Sequence, residues 1–108
     1  MPRILALDSA LTPDSVSRGL VQVVVDRLAG RSSDLVTRDL AALPVPHLSP
    51  ASLAGVRGAP LSKAERATQR LSDELIAELA AADVLVVGAP MYNFGPSTLL
   101  RAWFDHVI

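Results

Sequence analysis

Val84-Leu85-Val86-Val87-Gly88-Ala89-Pro90-Met91-Tyr92-Asn93-Phe94 is the stretch on which the rest of the chain is read. Four apolar residues, three of them valine, follow Asp83 and stop at Gly88-Ala89-Pro90. That pattern predicts a short strand, buried on both faces, that breaks into a loop. Open α/β sheets place their ligands at such loops, on the carboxyl ends of their strands. The loop here holds Met91, Tyr92 and Phe94, large groups where a solvent loop would carry Ser, Asp or Gly, and Asn93 adds an amide that donates and accepts. With Pro90 at its base, the set suits a flat, polar-edged heterocycle better than a sugar or a metal ion. The competing reading is that Met91 and Phe94 seal the bottom of a core.

Near the start, Ile4-Leu5-Ala6-Leu7 is a second short apolar run, followed by Asp8-Ser9-Ala10-Leu11-Thr12-Pro13-Asp14-Ser15-Val16-Ser17. This reads as strand, hydroxyl-rich loop and helix start. Ser15 or Ser17 can cap the helix, whose first N–H groups lack internal acceptors and carry the positive end of the dipole. Hydroxyls and free N–H groups converging there make a phosphate site, to which Arg18 can add a charge. Asp14 counts against such a site, because a carboxylate repels a phosphate unless it points away. The same serines also serve as ordinary caps and turn formers. No G-x-G-x-x-G or Walker pattern occurs, which disfavours a classical dinucleotide or P-loop site.

Composition sets the outer limits. The 108 residues are 50% hydrophobic with a net charge of −1, so one small domain or part of one is expected. A near-neutral balance without a basic run gives no reason to expect nucleic acid or an anionic membrane as partner. Absence of cysteine rules out disulfides, thiolate chemistry and Cys-based zinc sites. The apolar run that Asp8 ends is too short for a signal peptide, and no window reaches the roughly 20 apolar residues of a membrane span. A cytoplasmic location is the expectation.

Between the two apolar runs, Val16, Leu20, Val24 and Leu28 recur every fourth residue before Gly30, which predicts a helix over 16–29 despite its valines. Residues 34–40 mix polar and apolar side chains on both parities, as an edge strand does. From Ala41 to Leu61 the prolines and glycines predict an irregular excursion with one helical turn around Ser49 to Leu53. His47 reads as a loop surface residue. Ser62 and Glu65 have capping-box spacing, and Ala64, Ala67, Leu71, Leu75, Ile76 and Leu79 form the apolar stripe of a crossover helix. After the Pro90–Phe94 loop, Ser97 or Thr98 can cap a last helix. Its Leu99, Leu100, Trp103, Phe104 and Val107 share one side, with Arg101 and Asp105 paired on the other. Trp103 is expected in a core or an interface rather than against a ligand.

Strand, helix, strand, excursion, helix, strand, helix, joined by right-handed crossovers, gives three parallel strands in spatial order 2-1-3. This is the beginning of a flavodoxin-like doubly wound α/β sheet. In that order the hydroxyl loop and the Pro90–Phe94 loop open side by side, one suited to a phosphate and the other to a flat ring. Together they describe FMN.

Ser9 with Ser15-Val16-Ser17, the stretch from Arg38-Asp39-Leu40 to Pro44-Val45-Pro46-His47-Leu48, Ser72 to Leu79, and above all Ala89 to Phe94 with Trp103-Phe104-Asp105 carry a resemblance. Along essentially the whole chain, in register, they resemble the FMN-dependent NADH-azoreductases, also described as FMN-dependent NADH:quinone oxidoreductases. The resemblance implies that Ser9, Ser15, Val16 and Ser17 hold the FMN phosphate, Val16 by its backbone alone. It implies that Pro90, Met91, Tyr92, Asn93 and Phe94 embrace the isoalloxazine, with backbone N–H groups near N5 and the carbonyl edge. It further implies a ping-pong reaction in which NADH reduces the flavin and a quinone or azo compound is then reduced, with no side chain needed as general acid or base. The implied assembly is a homodimer, for which the 41–61 excursion and the Trp103 helix are interface candidates. Such proteins run to roughly twice this length, an ordinary size for a five-stranded domain. Residues 1–108 are therefore expected to be the N-terminal part of a single FMN-binding domain. A flavodoxin-type electron-transfer module and an inactive remnant are the alternatives.

Overall fold

The structure, a computed structural model, describes residues 3–12, 14–29, 34–56, 62–92 and 95–108. Strand β1 (Arg3–Asp8) leads to helix α1 (Val16–Ala29) and strand β2 (Asp34–Asp39); a short helix α2 (Leu53–Val56) precedes α3 (Lys63–Ala81), strand β3 (Val84–Gly88) and α4 (Thr98–Val107). The sheet is parallel throughout in the order β2-β1-β3, as the crossover rule requires. No described helix is long and apolar enough to cross a membrane.

Alternation along β1 divides the core. Leu5 and Leu7 point to one face, where they meet Leu40, Val45, Leu75, Leu100 and Trp103 from the β2 exit, α3 and α4. Ala6 points to the other face and packs on Val21 and Val25 of α1, with Val86 beside it. Helices thus lie on both faces of β1, which is why its residues 4–7 are all buried.

One expectation changes here. Strand β3 is not buried on both faces: it is a sheet edge, and Leu85 is 41% exposed. The stripe that marked α1 as a helix lies on its outer side. Val16, Leu20, Val24 and Leu28 face outward, and the neighbouring pair Val21 and Val25 docks on the sheet. A helix apolar on two sides satisfies the same four-residue spacing whichever side is covered. The Cα radius of gyration, 14.9 Å, exceeds the about 13 Å typical of a compact domain near this length, in keeping with the uncovered edge.

The excursion is tied down by groups that periodicity does not reveal. Its helical turn sits a little later than expected, at Leu53–Val56, after a serine-bonded turn between Ser49 and Ser52; residues 57–61, like Gly30, lie outside the described residues. His106 of α4 is 4% exposed, with Nε2 2.9 Å from the Pro46 carbonyl and Nδ1 3.0 Å from the Ser72 hydroxyl. A carbonyl only accepts, so Nε2 carries the hydrogen, and Nδ1 accepts from Ser72 in the neutral ring. His47 is on the surface, as expected. Trp103 is 1% exposed within the chain's own core, which removes its ring from the candidates for a dimer interface.

Charged forks anchor the carboxyl half of β2. Arg38 grips Glu78 of α3 through two 2.8 Å bonds, and Arg18 of α1 grips Asp39 through two 3.0 Å bonds. Ser62 and Glu65 form the expected capping box, Ser97 caps α4, and Arg101 pairs with Asp105. The Arg18 fork holds the Asp39 carboxyl below the usual carboxylate range, helped by the Ala41 and Ala42 amides. A depressed carboxyl stabilises the fold above its unfolded pKa, and that stabilisation disappears as pH falls through the folded value. Asp39→Asn is therefore expected to lower the melting temperature at neutral pH, with the deficit shrinking below about pH 4; thermal scans across pH check it. His106→Leu leaves a hydroxyl and a carbonyl without their partner and is expected to cost about 1–3 kcal/mol in urea unfolding.

Candidate functional site

Registry fixes the site. Asp8 at the end of β1 lies opposite Gly88 at the end of β3, so the loops that leave them start as neighbours. The Ser9 hydroxyl donates to the Gly88 carbonyl at 2.6 Å, and the Leu11 N–H donates to the Tyr92 hydroxyl at 3.2 Å. One bond joins the roots of the two loops and the other joins their outer parts. Gly88 is required by close approach: a Cβ there would lie 2.7 Å from Val21 Cγ2 and 3.1 Å from Asp8 Oδ1. A side chain there would force Val21, packed between α1 and the sheet, to shift.

At the start of α1, Ser15 is the N-cap in function. Its Oγ accepts from the Arg18 N–H at 3.2 Å, and its carbonyl accepts from the Gly19 N–H. The Ser17 hydroxyl lies 3.2 Å from that of Ser15. Val16 is 79% exposed. Two hydroxyls thus converge where the first amides of a 14-residue helix carry its positive end. Asp14 is exposed.

Ser9 and Arg18 depart from expectation. Ser9, expected to touch the phosphate, is 0% exposed, and its one hydroxyl hydrogen is committed to Gly88. Arg18, expected to lend a charge, is turned inward: Nε donates to the Thr12 carbonyl, Nη2 to the Ala10 carbonyl and Asp39, and Nη1 to Asp39, with Asp8 at 3.8 Å. Sequence reading missed this because it places Arg18 on α1 but not Asp39 beneath it. Burial outweighs Arg18 at Asp8 and pushes its carboxyl above the usual range, and its Oδ1 meets no hydrogen-bond donor among the described residues.

In the loop after β3, Pro90 is half-buried and Met91 is 73% exposed, so Met91 does not seal a core. Tyr92 exchanges two backbone bonds with Gly95, at 2.8 and 3.0 Å, closing a tight turn. The Tyr92 N–H is therefore engaged within the loop. Asn93 and Phe94, between them, lie outside the described residues. A groove of about 260 Å³ runs from Ser17 along Leu20, Val24 and Val86 to Ala89, on the open side of β3. A larger one of about 330 Å³ opens at the opposite end of the sheet, beside Arg3, Asp34 and Ala82. Parallel sheets bind at the carboxyl ends of their strands, so the larger groove is not the site.

The profile of the flavodoxin-like fold matches residues 2–108. An FMN-dependent NADH:quinone oxidoreductase of Hyphomonas neptunium (strain ATCC 15444) is 52% identical over 111 residues, covering 100% of this chain and 53% of that protein. An azoreductase from Bacillus anthracis str. Sterne superposes with a TM-score of 0.85 at 21% identity, covering 100% of this chain and 56% of that one. An FMN-dependent NADH-azoreductase from Bacillus anthracis str. Ames Ancestor, in complex with FMN, gives 0.80 at 17% identity, covering 98% and 55%. At those identities the solved structures speak for the fold alone. The chain spans about half the length of the curated relatives it matches. With the profile running from residue 2 to 108 and the parallel β2-β1-β3 order beneath it, the chain belongs to the flavodoxin-like fold family.

Proposed function

We propose that residues 1–108 are the N-terminal part of a single FMN-binding domain in an FMN-dependent NADH:quinone and azo-compound oxidoreductase. The observation that carries the reading is the pair of loop mouths held together by Ser9–Gly88 and Leu11–Tyr92. The relative at 52% identity is named for FMN-dependent NADH:quinone oxidoreduction.

The residues present suit the cofactor. The Ser15 and Ser17 hydroxyls, bonded to each other at 3.2 Å, leave one hydroxyl hydrogen for an anion, and the amides of Val16 and Ser17 open the helix toward it. A phosphate there gains charge-assisted bonds with neutral groups. Pro90 and the exposed Met91 offer an apolar wall for one side of a ring, and Tyr92 fixes that wall relative to the phosphate end. Pro90 to Phe94 form the ring-binding loop. Ser9 acts as a strut that sets the spacing between the two ends rather than as a phosphate ligand. FMN, when bound, supplies hydride acceptance from NADH and two-electron delivery to a quinone or azo acceptor. The protein's share is to place that ring and leave one face open for donor and acceptor in turn. A homodimer in the cytoplasm completes the proposal.

The test is titration of the intact protein with FMN, followed by NADH oxidation with a quinone. Quenched flavin fluorescence and parallel double-reciprocal plots are expected. Absence of quenching up to on the order of tens of micromolar FMN would sink the reading. Flavin binding with a stable one-electron state and no NADH turnover would reassign the chain to an electron carrier.

A further inference from the structure

The guanidinium of Arg18 sits behind the anion loop with 17% of its side chain exposed, and four of its contacts are hydrogen bonds of 2.9 to 3.0 Å. Two go to Asp39 and two to the carbonyls of Ala10 and Thr12. Those carbonyls belong to the loop that leads to Ser15; the Thr12 carbonyl also accepts the Ser15 N–H at 3.4 Å, and a carbonyl oxygen left free in such a loop presents its negative end to whatever enters. Asp8 and Asp39 add two carboxylates close by, against which Arg18 is the cation. A peptide unit is planar and trans, so fixing the Ala10 carbonyl also aims the Leu11 N–H the opposite way. That N–H is the one bonded to Tyr92.

We propose that Arg18 is a positioning residue for phosphate recognition: without touching the ligand, it draws the Ala10 and Thr12 carbonyls onto itself and offsets the two carboxylates behind them, so that the mouth presents hydroxyls and amides to an anion. The inference rests on the flavin reading above and extends it from the residues in the mouth to the one behind it. A rival view makes Arg18 only a tether between α1 and β2. A tether supports any ligand of the site alike, whereas a residue that sets local polarity discriminates between FMN and riboflavin, which differ by the phosphate.

The experiment measures FMN and riboflavin affinities by fluorescence quenching for the intact protein, Arg18→Ala and Arg18→Lys, with circular dichroism to establish that each is folded. Arg18→Ala is expected to lower the FMN-to-riboflavin affinity ratio by about ten- to a hundred-fold, the worth of one or two charge-assisted bonds. Arg18→Lys, which keeps the charge but loses the planar fork, should fall between. An unchanged ratio in folded Arg18→Ala, whether both affinities hold or both fall equally, overturns the proposal. If the unaltered protein binds neither flavin, the flavin reading falls first and takes this inference with it.

Discussion

The interaction on which the architecture of the mouth depends is the parallel pairing of β1 with β3, ending at Asp8 opposite Gly88. Parallel ladders set register by evenly spaced backbone bonds, so one residue of slip would move every β3 side chain to the other face. Here slip is resisted twice. Leu5 and Leu7 are locked in a core with Trp103 and Leu75, and the Ser9 hydroxyl bonds the Gly88 carbonyl in a site closed to water. The loops inherit their adjacency from that register, and the Leu11–Tyr92 bond carries it outward.

Polar groups in this chain serve two separate purposes. Buried ones such as Ser9, Ser72 and His106 hold segments that have no apolar periodicity of their own, and buried Ser97 caps α4. Ser15 and Ser17, at the start of α1, instead face each other at a helix end. The same hydroxyl chemistry is structural where a carbonyl lies within reach and available for binding where a helix dipole opens into space. Residue type alone does not distinguish these cases; distance to the nearest acceptor does.

Much of the frame was legible in the sequence because the signals are local. The apolar runs at Ile4–Leu7 and Val84–Val87, the Ser62–Glu65 capping box and the helix after Ser97 each sit within a few residues of chain, and the connection rules turn them into the 2-1-3 order. What escaped reading depends on partners far apart in sequence. His106 reaches Pro46 across 60 positions, Arg18 finds Asp39 across 21, and Ser9 finds Gly88 across 79. The choice between the two apolar sides of α1 was likewise out of reach, since it is made by Ala6 and Val86 rather than by the helix.

The open side of β3 bears on how this polypeptide behaves in a concentrated solution. Its outer backbone groups, with Leu85 beside them and the Leu20–Val24–Leu28 ridge of α1 along the neighbouring groove, form a long adhesive border. Whatever covers that border, a later stretch of the same polypeptide or another molecule, competes with indiscriminate strand-to-strand sticking among identical copies. Ser17 and Ala89 lie at the end of this border where the two loops open, so whatever covers it also reaches the rim between them.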